Sequence, residues 1–432
     1  MRKIAISVVS TVVSLAFIVM GNQAGASNMN LSGEYRVRGY VHDYVTTANQ
    51  NNSQNYWDQR FRLTIEAIAT DNLKGVVQMD IGAENGTNNI NNEDRTWGAG
   101  EHKVLMRQCY LDFNIPETPL NLKFGTQPLA LGYSLLLDTY LDALLLTMNY
   151  DQLTIYGLAA KDFEGDLGTS DDEDYYGLIL NFSTIEKMTT SLYGIYLHDG
   201  AASTDELNQA GNVSMLPATT TYNDLTGYWI GLSTDIAWQP LDISLEIDYM
   251  SRRSHAKTIG VKDYKEAGWA SYLDIKYTLT NSLGVGVQGI YATGDDPDST
   301  GMDEGFKDIA GGNDFIEATW EEDIVVSGNV DNAGLVSTYG VKGGRAYAML
   351  SPMNDLSFKG KLGYYWREVD PAEGGKGNED DIGLEIDGFV YYNIYENLKF
   401  KGFAGYLFSD EDALGENAED VWRMGQRVTY YF

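Results

Sequence analysis

In Phe61-Arg62-Leu63-Thr64-Ile65-Glu66-Ala67 every second residue is apolar and every residue between is polar or charged. Successive side chains of a β-strand point to opposite faces, so this segment forms a strand with one greasy and one wet face. The same two-residue period recurs along the whole of 27–432, whereas a helical period of 3.6 is hard to find. Strands are predicted at 32–44, 57–70, 73–84, 102–114, 120–127, 143–150, 152–161, 174–183 and 187–198. They continue at 226–238, 241–252, 266–280, 283–293, 339–351, 356–368, 381–394, 398–408 and 420–432. Most hold ten or more residues, long for a soluble sheet and right for tilted strands crossing a bilayer. The count is about eighteen, with sixteen as the alternative.

The connections alternate in length. Asp71-Asn72, Pro116 to Pro119, Asp151, Thr184 to Glu186, Gln239-Pro240, Asn281-Ser282, Pro352 to Asp355 and Tyr395 to Asn397 are short turns. Those between them run from roughly ten to over forty residues, the pattern of a barrel with short periplasmic turns and long extracellular loops. All eight prolines are expected in connections, because proline gives no hydrogen to a strand ladder. The fold class is therefore all-β, a transmembrane antiparallel β-barrel. A soluble sandwich has no need of one uniformly short set of connections, and no repeat period of a solenoid is present.

The two ends fit this class. Arg2 and Lys3 precede an apolar stretch from Ile4 to Met20, and Ala24-Gly25-Ala26 has the form a signal peptidase reads. Residues 1–26 are expected to be a signal peptide cleaved after Ala26, and 27–432 a single barrel domain. No uninterrupted apolar run beyond Ala26 reaches ten residues, so a membrane passage must use strands. At the other end, Trp422, Met424, Val428, Tyr430 and Phe432 share one face, opposite Arg423, Arg427 and Thr429. This resembles the terminal strand of bacterial outer-membrane proteins, in which Val428, Tyr430 and Phe432 would carry the assembly signal.

Composition excludes several functions. The 62 acids against 30 bases give a net charge of -32, too acidic for nucleic-acid binding through the net field, while 12% aromatic residues are too many for a disordered chain. The one cysteine, Cys109, rules out an intramolecular disulfide, a CxxCH haem site and a multi-cysteine metal cluster. No cofactor is expected. His42, His102, His198 and His255 have no nucleophile or metal partner at motif spacing, so neither a catalytic residue nor a metal site is assigned.

Reading the wet faces gives the lumen. Strand one points Glu34, Arg36, Arg38, Tyr40 and His42 inward, and strand two Asp58, Arg60, Arg62, Thr64 and Glu66. The last strand pairs with the first and adds Arg423 and Arg427, so three neighbouring strands offer six arginines to one wall. Glu246, Asp248, Glu385 and Asp387 are expected elsewhere on the lumenal surface, with Lys359 and Lys361 beside them. Acids on one wall and bases on another set a field across a pore. Strand four fits neither register cleanly: one turns Met106, Gln108, Tyr110 and Asp112 inward with Arg107 and Cys109 outward, the other buries Asp112 in lipid, and a bulge is the way out. Cys109 receives no chemistry.

Acids crowd the long loops. Residues 294–331 hold twelve acids against Lys307 alone, and 162–174 hold Asp162, Glu164, Asp166, Asp171, Asp172, Glu173 and Asp174 without a base. A mild cation preference is expected from such a rim. Asp296-Pro297-Asp298 resembles the start of a calcium loop, but its twelfth position is Lys307, not the glutamate required. Residues 128–142 differ, being mostly apolar, and should fold inward to narrow the lumen through Tyr133, Asp138, Tyr140 and Asp142, with Asp138 and Asp142 turned toward the arginines. The alternative is an extension of strands five and six above the membrane.

The run Phe124 to Asn149, with Gly125-Thr126-Gln127, Asp138-Thr139 and Asp142-Ala143, resembles the alginate-export-type and related bacterial porin families, as does Trp57-Asp58-Gln59-Arg60-Phe61-Arg62-Leu63. That resemblance implies an eighteen-stranded barrel and a basic lumen. The acids interleaved here make alginate itself a poor match. The function expected is a passive outer-membrane channel for small hydrophilic solutes. Alternatives are an oligosaccharide or anionic-polymer conduit, or a sheath for a partner protein such as a cytochrome. Expected partners are the lipid bilayer, lipopolysaccharide, the barrel-assembly machinery and the solutes, with no nucleic acid. Homotrimer and monomer are left open.

Overall fold

The computed structural model describes residues 28–43, 54–81, 104–163, 172–200, 222–256, 263–296, 302–309, 339–370, 380–409 and 421–432. The expected leader and its cleavage point at Ala26 lie outside the described residues.

The strands are β1 Asn28–Asp43, β2 Gln54–Thr70, β3 Leu73–Ile81, β4 Val104–Asn114, β5 Leu120–Leu131, β6 Leu137–Tyr150, β7 Leu153–Phe163, β8 Glu173–Ile185 and β9 Met188–Asp199. They continue as β10 Tyr222–Trp238, β11 Leu241–Ala256, β12 Tyr264–Thr280, β13 Leu283–Ala292, β14 Val341–Met353, β15 Leu356–Trp366, β16 Asp381–Tyr395, β17 Leu398–Ser409 and β18 Val421–Tyr431. Each pairs antiparallel with the next, and β18 closes on β1, so the sheet is an eighteen-stranded barrel without a free edge strand. Closure satisfies the backbone of every strand by its neighbours, the condition for lying in hydrocarbon.

Alternation holds on the outer face. Leu178, Leu192, Ile230, Ile247, Leu273, Leu362 and Ile386 are exposed, while the residues flanking them in sequence point into the barrel. At the seam Val37 lies opposite Val428 and Tyr35 opposite Tyr430, and Phe432 exchanges both backbone hydrogen bonds with Gly33 at 3.0 and 3.1 Å. The Phe432 ring stacks on Phe61 of β2 with centroids 5.5 Å apart. The last residue therefore ties together the strands that must meet to close the barrel. Phe432→Ala is expected to lower the folded fraction recovered from membranes roughly severalfold by removing the ring contact across the seam; gel mobility with and without heating measures it.

Strand four resolves through a bulge. Gln78 pairs Gln108 but Met79 pairs Met106, so two residues of β4 oppose one step of β3. Below the bulge Gln108, Tyr110 and Asp112 face inward and Cys109 outward; beyond it the phase flips, turning Met106 out and Arg107 in. The expected outward Arg107 is corrected on this ground.

Two expectations about loops are also corrected. Residues 128–142 are not a loop throughout, because β5 runs to Leu131 and β6 starts at Leu137, paired up to Leu131 opposite Leu137. Pro128 and Pro352 consequently fall inside strands. Pro128 is tolerated because β5 pairs with β4 only as far as Thr126, so its nitrogen faces no ladder on that side. Pro352 sits where the register of β14 and β15 shifts between Leu350 and Met353.

Candidate permeation pathway

Where β5 passes Thr126 it leaves the wall. From there to Asp142, β5 and β6 pair only with each other, and β6 rejoins the wall where Asp142 meets Lys161 of β7. Gly125 has φ 122, and a methyl group there would strike the backbone of Cys109 and Tyr110, so only glycine allows the bend at this contact. Gln127, fully buried, donates its amide to the Ala143 carbonyl at 2.9 Å and to the Gly125 carbonyl at 3.3 Å, and Thr126 donates its hydroxyl to Asp142 Oδ1 at 2.5 Å. The Gly-Thr-Gln motif is thus the hinge from which a hairpin turns inward.

The hairpin crosses the lumen. Its tip places the Tyr133 N–H 2.5 Å from Glu246 Oε2 on β11, the Tyr133 hydroxyl on Asp235 of β10 and the Tyr133 ring 5.1 Å from that of Tyr272 on β12. Leu131, Leu135, Leu136, Leu137 and Leu141 are buried against inward apolar residues of β7 to β12, among them Leu158, Tyr175, Ile179, Tyr193 and Trp229. Each such leucine gains about 2 kcal/mol over exposure to water, and this decides the inward position over one above the membrane. A barrel interior is usually polar, so this apolar half-core is a departure from strict alternation that matches the apolar hairpin facing it.

A second segment descends beside the tip. Lys307 offers its carbonyl to Trp229 Nε1 at 2.9 Å, Phe306 is fully buried, and Ile309 N–H bonds the Leu136 carbonyl at 3.0 Å. Residues 302–309 were expected on the acidic rim; the apolar Phe306 and Ile309 draw them into the barrel instead. Burial beside Asp303 pushes the Asp295 carboxyl in this connection up to about 6, so acidification below that value removes one negative charge near the descending segment.

The opposite half of the wall is basic. Lys401 of β17, Arg427 of β18 and Arg38 of β1 stand side by side in register, and one row away Arg36 stands beside Arg60 of β2. Arg38 and Arg423, at 2% and 1% exposure, flank the buried Tyr40 ring with guanidinium carbons 5.2 and 4.6 Å from its centroid. Interleaved acids hold this crowd together: Glu34 pairs Arg60, Glu66 pairs Lys74 at 3.2 Å, and Asp80 of β3 receives Arg62 at 2.6 and 2.8 Å and Arg107 at 3.0 Å. Glu385 and Asp387 of β16 belong to this side too, Asp387 standing opposite Lys361 of β15, so they interrupt the basic wall and do not oppose it. Asp58 and His42 have side chains outside the described residues.

The expected constriction residues separate into roles. Tyr133 reaches the far wall, and Tyr140 lies 5.5 Å from the Arg107 guanidinium. Asp138 accepts from Ser134 at 3.2 Å and Asp142 from Thr126, so the expected turn of both toward the arginines is replaced by bonds within the hairpin. Glu246 and Asp248 face inward as expected, yet both are fully buried beneath the tip and line no water. Asp80, Arg345, Lys401, Tyr193 and Asp235 went unassigned in the sequence, and Arg107 was placed outward in one register of strand four. Asp80 was within reach, since Lys74, Val76, Gln78 and Asp80 share one phase of β3.

No family model and no curated protein matches the chain. Among solved structures, Pseudomonas aeruginosa OccK9 (OpdG) aligns with a TM-score of 0.56 at 15% identity, covering 94% of this chain and 98% of that one. OpdK of the same organism, crystallised with vanillate, gives 0.55 at 11% over 93% and 98%. The outer-membrane protein OprD gives 0.51 at 14% over 93% and 94%. At these identities the likeness is one of fold. It supports the outer-membrane barrel class and adds nothing to the resemblance to the alginate-export type.

Proposed function

We propose that the chain is a diffusion channel of the bacterial outer membrane, passing small hydrophilic solutes and favouring small organic anions. The observation that carries this is the inward hairpin, which fills the β7 to β12 half of the lumen and leaves the passage on the side of Arg427, Arg36 and Arg60, the partly exposed members of the basic wall. The acids that would balance that wall from across the pore, Glu246 and Asp248, are covered by the tip. The acidic rim pulls the other way. Rim charges are screened over about 8 Å at physiological salt, whereas a solute in the constriction passes the partly exposed Arg427, Arg36 and Arg60, so the constriction dominates. The carboxylate ligand of the OpdK structure, a neighbour in fold, points the same way. A sheath around a folded partner is disfavoured, because the hairpin and residues 302–309 occupy the space a partner would need. An alginate-type polymer conduit is disfavoured by Glu34, Asp80, Glu385 and Asp387, which break the basic wall.

Planar-bilayer recording in asymmetric KCl tests the proposal. Chloride is expected to permeate several times faster than potassium, roughly as a net positive constriction requires. Preference for potassium overturns the anion reading, and silence at all voltages overturns the channel.

A further inference from the structure

Two inward carboxyls of β11 face a single hydroxyl. The Tyr193 oxygen lies 2.7 Å from Glu246 Oε1 and 2.7 Å from Asp248 Oδ1. A phenol has one hydrogen and donates it once, so the second short oxygen–oxygen contact needs a hydrogen from the carboxyl itself. Both carboxyls are therefore held close together by one oxygen.

The surroundings tell the two acids apart. Glu246 is held by donors on both oxygens: Oε2 accepts the Tyr133 N–H at 2.5 Å and Oε1 lies 2.7 Å from the Tyr193 hydroxyl. Gly132 at φ 56 and Ser134 at φ 67 bend the tip, where the Tyr133 N–H is turned onto Glu246 while the Ser134 N–H closes back on the Leu131 carbonyl at 3.0 Å. A methyl group on Gly132 would collide with the Glu246 oxygens. Asp248 is different. It is fully buried, and its Oδ2 has no hydrogen-bond partner. A carboxylate oxygen stripped of water and given no donor is costly, whereas the carbonyl oxygen of a neutral acid bears this far better.

Among the described residues no neighbouring cation neutralises the pair. Its lateral neighbours are Gly231 and Ser233 on β10 and Ala270 and Tyr272 on β12. The titratable groups facing it are Tyr193 on β9, Asp235 on β10, Tyr272 and Asp274 on β12 and Tyr133 on the tip. Arg252, the next charged residue inward along β11, is taken by Glu266 at 2.7 and 2.8 Å. Among the described residues no ion pair reaches Glu246 or Asp248.

We propose that Asp248 is held as the neutral acid in the folded barrel, donating through Tyr193 to an ionised Glu246 that clamps the hairpin tip, so that the constriction is linked to one proton. Asp248 gives its hydrogen to Tyr193 Oη, and Tyr193 gives its own to Glu246 Oε1. When hydroxide takes that hydrogen as water, two carboxylates held close together share one phenol hydrogen and repel; Glu246 shifts, and the tip loses its anchor. The linkage to conduction rests on the channel reading above, whereas the proton does not.

Two measurements on the full chain separate these parts. Infrared spectra in detergent are expected to show a protonated-carboxyl carbonyl band at neutral pH that disappears in Asp248→Asn. It is expected to persist in Glu246→Gln, where Asp248 stays buried with its Oδ2 unpartnered, which assigns the hydrogen to Asp248 and not to Glu246. A band that survives in Asp248→Asn, is lost in Glu246→Gln, or is missing from the wild type overturns the proposal. Single-channel conductance of the wild type is expected to rise roughly twofold in alkaline solution as the constriction opens, and that of Asp248→Asn to stay flat across the same range. A flat wild-type profile beside an intact band overturns the linkage alone, and absence of any conductance goes against the channel while the band still decides the proton. If Asp248→Asn does not fold, Glu246→Gln decides the band.

Discussion

Removing residues 130–140 and joining Leu129 to Leu141 through Asn-Gly is expected to raise single-channel conductance roughly two- to fivefold. The segment deleted contains the tip that reaches Glu246 and Asp235 and four of the hairpin's six buried leucines, Leu131, Leu135, Leu136 and Leu137. The hinge of Gly125 and Gln127 and the wall pairing from Asp142 onward stay in place, so the barrel keeps its strand ladder. The opening gained lies on the β7 to β12 side, where Leu158, Tyr175 and Trp229 would meet water. New area there is apolar apart from Glu246 and Asp248, which the tip no longer covers, and Asp235, which it no longer bonds. Conductance is therefore expected to rise while anion preference falls, because more of the current runs far from the basic row and past these acids. Unchanged conductance with a folded barrel would mean that the hairpin is not the constriction.

The barrel was legible because each strand repeats the same two-letter message, and errors at single positions do not propagate across eighteen strands. Strand number, turn positions and the inward phase of Arg36, Arg38, Arg60, Arg62, Glu246 and Asp248 all follow from period two. What escaped is what breaks the period. The bulge in β4 turns Arg107 inward without any change in composition, and Asp80 acquires its meaning only once Arg107 stands beside it. The apolar residues of 128–142 signalled burial, but in a chain with lipid outside and water within, a third environment inside the barrel has no period of its own. Leu158, Ile179 and Trp229 face that half-core in the phase otherwise reserved for polar residues. Which acids line water was equally hidden, because the tip that covers Glu246 comes from 113 residues away along the chain.

Asp80→Asn is expected to cost about 3 kcal/mol of unfolding free energy, the range for removing one partner of a buried ion pair. Asp80 is fully buried between Arg62 and Arg107, whose side chains are about one-fifth exposed, so lumenal water relieves the pair only in part. Without the carboxylate two guanidiniums face each other across β3, next to Arg60 and Arg36. The neutral amide still accepts one hydrogen bond but offsets neither charge. The double variant Arg62→Gln with Asp80→Asn is expected to recover more than half of the loss, since it leaves one guanidinium where the single variant leaves two. Urea titration of the barrel in detergent measures both. The same single substitution adds a net positive charge beside the passage, so the reversal potential in asymmetric KCl should move further toward chloride. A single variant as stable as the wild type, or a double variant less stable than the single, would place Asp80 outside the network that lets this wall carry its arginines.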